Sequence, residues 1–169
     1  MVVTPLEIGI LIIEAFQFIF PAYCANALPV IFGGGRPLDF GKTFFDKKRI
    51  LGNNKTLRGF ILGLTIGTAI GLVWHVLFAY PISYSFLLPL GALLGDLAGS
   101  FLKRRLDIKP GGLMPIVDQV DFVIGAILLS LPLNILSWEL ALTAIIITPP
   151  IHLLTNFGAY KLGLKKNPW

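Results

Sequence analysis

The chain has 169 residues, 55% of them hydrophobic and 14% charged, with a mean hydropathy of +0.80; a soluble domain carries about 25% charged residues. That composition excludes an ordinary soluble domain and describes a membrane protein. Cys24, the single cysteine, excludes an internal disulfide framework and any Cys-rich metal site, while the net charge of +5 is explained by topology and not by nucleic acid.

Residues 15–35, 59–95, 122–138 and 140–160 contain no Asp, Glu, Lys or Arg. A hydrocarbon core about 30 Å thick takes about 20 helical residues per crossing, so the long second stretch holds two crossings or parts of two. Five spans follow, near 6–33, 58–78, 86–103, 120–136 and 139–160, helical because lipid leaves no other open backbone satisfied. The expected fold is an all-α integral membrane protein, a bundle of about five transmembrane helices with two functional cytoplasmic loops, in one polytopic domain over residues 1–169. No basic segment precedes the first apolar run, so that run reads as a retained span and not a cleaved signal peptide. Pro21 and Pro29 are placed to kink it.

Glycines at 59, 63, 67 and 71 and again at 91, 95 and 99 recur every four residues. Each series makes a small-residue ridge that lets helices approach closely in lipid. Asp96 lies inside the second series.

The loops between spans alternate in charge. Residues 34–58 carry seven Lys or Arg, residues 103–119 carry four, and the tail carries Lys161, Lys165 and Lys166, which together are all 14 basic residues. The positive-inside rule therefore places the N-terminus outside and both long loops and the tail in the cytoplasm of a multi-pass cell-membrane protein. Lys165 in the tail is expected to matter less than the basic residues of the first loop.

Gly33 to Thr43 superficially suggests a Walker phosphate loop, but G-x4-G-K-[ST] ending at Thr43 needs Gly where Arg36 stands, and a strand should precede it. The first loop is richer farther on. Gly52 permits a tight turn, and Asn53, Asn54, Lys55, Thr56 and Arg58 supply amide, hydroxyl and cationic donors at a helix N-terminus, which itself favours an anion. They suit a polyphosphate cradle, or simply a basic stop with Asn54 or Thr56 as N-cap.

The second loop follows Asp96, whose carboxylate lies about 10 Å below Lys103, inside the membrane zone. A carboxylate there is costly without a cation or metal beside it. Asp118 and Asp121, three apart on a helix, project from one face. Three such carboxylates suit Mg²⁺, a hard ion that bridges carboxylates to substrate phosphates; alternatively Asp118 is an N-cap with Asp121 near N3. Glu14, Asn26, His152 and Asn156 are polar within spans and read as helix-to-helix hydrogen-bonding groups.

Taken together, Tyr23 and Asn26, Pro37-Leu38-Asp39-Phe40-Gly41, Gly52-Asn53-Asn54-Lys55-Thr56-Leu57-Arg58-Gly59, the block from Gly95 to Phe122 and the tail from Asn156 to Trp169 resemble the CDP-archaeol synthase family, archaeal relatives of the CDP-diacylglycerol synthases. Ser100, Lys103-Arg104, Lys109, Gly111-Gly112 and Asp118-Gln119-Val120-Asp121 look like the S…K-R…K-D…P-G-H-G-G…D-R-x-D signature of the wider cytidylyltransferases. The His between the glycines is absent here, and Gln119 stands where Arg is usual.

The resemblance implies an Mg²⁺-dependent nucleotidyltransferase that takes CTP and an isoprenoid glycerol-ether lipid phosphate, 2,3-bis-O-geranylgeranyl-sn-glycerol 1-phosphate, to the CDP-lipid and pyrophosphate. It implies Asp96, Asp118 and Asp121 as metal ligands. Catalysis falls to these and Lys55, with substrate binding by Asp39, Gly52, Asn53, Asn54, Lys55, Thr56, Arg58, Ser100, Lys103, Arg104, Arg105, Lys109, Gly111 and Gly112. Homodimer formation is left open. The competing reading is a small ion-coupled transporter with Asp96 and Glu14 on a midplane path, although its polar groups should gather at midplane, often in an inverted repeat.

Overall fold

The computed structural model describes residues 4–165 and 167, so Lys166, Pro168 and Trp169 of the tail lie outside the described residues. Five α-helices follow one another, α1 (Pro5–Phe32), α2 (Leu57–Phe78), α3 (Tyr84–Arg105), α4 (Val117–Ser130) and α5 (Trp138–Lys161), with one 3-10 turn at Leu131–Leu133. Among the described residues there is no strand, only two isolated bridges in the first loop.

The helix ends follow local chemistry. Thr4 and Glu7 form a capping box around α1 with Pro5 in its first turn. Thr56 caps α2, accepting from the Gly59 amide at 3.1 Å, which decides between the two expected caps in its favour. Ser137 caps α5, and Lys103, Arg104 and Arg105 crowd the negative end of α3.

Four helices, α1, α2, α3 and α5, are long and apolar enough to cross a membrane. The expected fourth span, 120–136, is realised differently. α4 has only 14 residues, about 21 Å at 1.5 Å per residue; a 3-10 turn at Leu131–Leu133 follows it directly and ends at Asn134 in the left-handed conformation. It is also heavily buried, holding Phe122, Val123, Ala126 and Ile127 against Phe18 and Ile19 of α1 and Leu88 of α3. A helix lined by protein needs neither the length nor the uniform apolarity of one facing lipid.

Both glycine ridges are packing surfaces. A Cβ at Gly63 would come within 2.6 Å of the Ala25 carbonyl oxygen, and one at Gly71 within 2.6 Å of the Ser85 Cα, so α2 lies directly on α1 and α3. Gly91 and Gly95 meet Gly125 and the Asp121 backbone of α4, which runs antiparallel to α3. Ile61, Val76, Leu77, Ile146 and Leu154 stay exposed on the outer faces of α2 and α5, as lipid-facing residues should. The close α3–α4 contact brings Asp96, Lys103, Asp118 and Asp121 to one end of the bundle.

Candidate active site

A cleft of about 710 Å³ opens at that end, between the first loop, the C-terminal end of α3, the N-terminal end of α4, and the residues after α5. Its α3 wall is set by helical spacing. Asp96, Ser100, Lys103 and Arg104 fall at i, i+4, i+7 and i+8, on one face, and all four line the cleft.

Two ion pairs cross it. Lys55 Nζ donates to Asp96 Oδ2 at 2.5 Å, joining the first loop to α3. Lys103 Nζ donates to Asp118 Oδ2 at 2.5 Å and to the Gly112 carbonyl at 2.9 Å, joining α3 to α4 and the Pro-Gly-Gly turn. Asp118 Oδ2 also accepts from the Met114 amide at 2.9 Å. Asp118 is therefore not the N-cap of α4; Ile116 occupies that position, and the carboxylate faces the cleft. Asp121 Oδ1 accepts from the Phe122 amide at 2.6 Å, and its Oδ2 presses on Gly99, where a side chain would collide with it.

Gly52, Asn53, Asn54, Lys55, Thr56, Gly111, Gly112 and Asp121 complete the expected residues on the cleft wall. Four others stand elsewhere. Arg58 is exposed and outside the cleft, because with Leu57 it takes the outer side of the first turn of α2 while Thr56, Gly59 and Phe60 line the cleft. Arg105, 100° around α3 from Arg104, turns away to Asp46 at 2.6 Å and lies over the rings of Phe44 and Phe101. Lys109 lines a neighbouring groove. Asp39 is buried under the first loop, where both its oxygens serve as internal acceptors.

Asp39 organises that loop. Burial alone would raise its carboxyl, but the Arg49 guanidinium and the amides of Gly52, Leu51 and Gly41 outweigh burial and hold it well below its ordinary value of 3.8. Two further bonds clasp the loop at its base, from the Leu38 amide to the Lys55 carbonyl at 2.8 Å and from the Leu57 amide to the Arg36 carbonyl at 3.0 Å. Lys55 is thus presented by a fixed support.

Other cleft residues were not expected. Asn26 of α1, His152 of α5, and Lys165 and Asn167 of the tail all line it. Lys165 belongs to the cleft and does more than mark topology: its ammonium donates to Asn156 Oδ1 at 2.9 Å, and the Asn156 amide touches the His152 ring. Burial lowers the Lys165 ammonium from its usual value, and the Lys55 charge adds to this against the pull of Asp118. Glu14, by contrast, is exposed on α1 and shares no cleft with Asp96. The two carboxylates of a transport path are not brought together.

A pocket that combines acids, lysines, an arginine, loop amides and an apolar wall of Pro29, Val30, Leu93 and Leu97 suits a phosphorylated ligand with a lipid portion. Comparison with known proteins agrees. Residues 8–169 match the model of the CarS-like family, CDP-archaeol synthase. The chain belongs to the CDP-archaeol synthase family. It is 48% identical over 164 residues to the CDP-archaeol synthase of Pyrococcus furiosus, covering 94% of this chain and 98% of that one. It is 41% identical over 173 residues to that of Methanocaldococcus jannaschii, covering 94% and 98%. It is also similar to a solved structure of an intramembrane enzyme for archaeal membrane lipid biosynthesis, with a TM-score of 0.80 and 39% identity over 86% of this chain and 94% of that chain. The match to CDP-archaeol synthases spans the helices and both loops.

Proposed function

We propose that the protein transfers the cytidylyl group of CTP to the phosphate of 2,3-bis-O-geranylgeranyl-sn-glycerol 1-phosphate, giving the CDP-lipid and pyrophosphate. The observation that carries this reading is the convergence of Lys55–Asp96 and Lys103–Asp118 in one cleft of a chain whose relatives are CDP-archaeol synthases.

Mg²⁺ fits the donor chemistry of this cleft. Among the described residues no three His, Cys, Asp or Glu side chains stand together as a complete metal cage, but Mg²⁺ is usually held by one or two carboxylates together with substrate phosphates. Asp96, Asp118 and Asp121 offer hard oxygen donors, and the first two already each hold a cationic lysine. They would hold the ion, which when bound polarises phosphoryl oxygens and neutralises charge on the triphosphate.

The remaining work belongs to the chain. Lys55, Lys103, Arg104 and Lys165 bind and screen the phosphates, and the loop amides orient them. The acceptor phosphate is already an anion and needs no strong base. Pro29, Val30, Leu93 and Leu97 give its lipid portion an apolar approach.

The test follows pyrophosphate release by purified protein with each nucleoside triphosphate, Mg²⁺ and either an ether-linked or an ester-linked lipid phosphate. CTP with the ether lipid should give the fastest release; no release with any lipid phosphate would overturn the proposal.

The charge asymmetry supports an N-terminus outside and a cleft at the cytoplasmic face. In a Cys24→Ser background, an impermeant thiol reagent applied to intact cells should label Ser83→Cys at once and Lys42→Cys only after permeabilisation; both positions are exposed. The reverse pattern would put the cleft on the opposite side.

A further inference from the structure

Beside the cleft lies a second hollow, a groove of about 360 Å³ between the first loop and the residues that follow α3. The two share Gly52, Asn53, Arg104 and Pro110, so they meet at a common wall. Four basic side chains line the groove, Lys48, Arg49, Arg104 and Lys109, against a single acid, Asp107.

These bases are not equivalent. Arg49 is held by Asp39 at 2.7 Å, and Lys48 by Asp107 at 2.7 Å and the Arg105 carbonyl at 3.0 Å. They are committed to the protein. Arg104 is only 8% exposed, yet its Nε has no hydrogen-bond partner, and among the described residues neither it nor Lys109 enters an ion pair. Burying a guanidinium without a counter-ion is costly, and the cost is recovered when an anion meets it. At the junction, a Cβ on Gly52 would lie 3.8 Å from the Arg104 Nη1 and 3.6 Å from the Pro110 ring. Glycine there leaves the passage beside the guanidinium free of a side chain.

We propose that this groove is an exit subsite for pyrophosphate, with Arg104 at its threshold and Lys109 at its outer end. The inference rests on the nucleotidyl-transfer reading of the cleft. In that reaction an oxygen of the lipid phosphate forms a bond to the α-phosphorus of CTP, the bond from that phosphorus to the bridging oxygen breaks, and pyrophosphate departs with the electron pair. The leaving anion then needs a route away from the acids of the cleft. The groove offers excess positive charge and is lined by neither Asp96 nor Asp118, and apart from Arg104 at the end of α3 it is formed by loop residues and not by the helix faces a lipid would contact. Arg104 hands the anion outward, and Lys109 retains it as a product complex.

Lys109 is exposed, so Lys109→Glu should fold normally, and melting in detergent checks this. The probe is inorganic pyrophosphate, used as a product inhibitor against CTP and, independently of turnover, in equilibrium dialysis with labelled pyrophosphate. Loss of one charge-assisted contact, with a repulsive charge in its place, should raise the ratio of the pyrophosphate inhibition constant to the KM for CTP about tenfold, with a matching loss in dialysis. A parallel rise in both constants would place Lys109 on the substrate triphosphate and overturn the exit subsite, as would no change in either. Weakened binding to vesicles of anionic lipid, with pyrophosphate binding intact, would assign the groove to a lipid headgroup and equally overturn it. Pyrophosphate binding that depends on Lys109 in a protein that transfers cytidylyl to no lipid phosphate would leave the groove standing and defeat the proposed reaction instead.

Discussion

Asp121→Asn should reduce cytidylyl transfer by about 100-fold or more while leaving the melting temperature unchanged or slightly raised. Its carboxylate is enclosed between Gly99 and the start of α4, and Phe122 supplies an amide to one oxygen. An asparagine retains an acceptor for that amide and removes a buried charge, so folding loses little. What is lost is the negative charge that suits a divalent ion. Asp118→Asn should lower activity as far but also stability, because Lys103 would lose its counter-ion at a site where both side chains are only 16% exposed; a penalty of about 1–3 kcal/mol is expected. The difference between the two variants separates the roles. Asp107→Asn, which removes an ion pair with Lys48 that is 76% exposed on the Asp side, should change stability by no more than about 1 kcal/mol. Transfer rates measured at limiting Mg²⁺ alongside thermal melts in detergent decide the matter. Near-normal activity in Asp121→Asn under those conditions would remove the metal role from this carboxylate.

Much of this site was legible because it depends on short-range periodicity. Asp96, Ser100, Lys103 and Arg104 share a face by the 3.6-residue repeat alone, and the same geometry separates Arg105 from the run in which it sits. The glycine ridges and the gathering of charge at one end of the bundle also follow from spacing and composition, whereas the choice of Thr56 over Asn54 as the cap of α2 needed the structure. The shortness of α4 was not legible, since an apolar run gives no sign of whether lipid or protein surrounds it. Nor was the return of the tail. Gly163, at φ +73°, donates to the Tyr160 carbonyl and Leu164 to the Ala159 carbonyl, which turns the chain back and carries Lys165 into the cleft. A glycine just past the last helical turn is the one local sign of that reversal. His152 and Asn156, expected to bond between helices, instead pair at i, i+4 within α5, and their connection to Lys165 depends on where the reversed tail lands.

Asp39→Asn should be the most damaging change outside the cleft, lowering stability by about 3 kcal/mol or more and impairing both kcat and KM. Oδ1 accepts from Arg49 Nη2 at 2.7 Å and the Gly41 amide at 3.0 Å, and Oδ2 from Arg49 Nε at 3.1 Å and the Leu51 and Gly52 amides at 3.0 Å each. Every group facing the carboxylate is a donor. An asparagine NH₂ must therefore replace one acceptor with another donor, leaving at least two N–H groups unmatched beside it, and no rotation of the amide avoids this. Because Gly52 is held by these bonds and Lys55 follows three residues later, the loss reaches the cleft without touching it. Arg49→Met should do less harm, since the three backbone amides still hydrogen-bond the carboxylate and no donor is set against another. The linkage has a definite sign. A carboxyl whose folded value is depressed contributes stability that is complete above its ordinary value of 3.8 and is lost as the pH falls through the lower folded value, so loop order should persist through mildly acidic pH and fail only in strong acid. Melting temperature, KM for CTP and hydrogen exchange at the Leu51 and Gly52 amides measure the three consequences. Wild-type values for all of them in Asp39→Asn would mean that the loop holds its shape without this carboxylate.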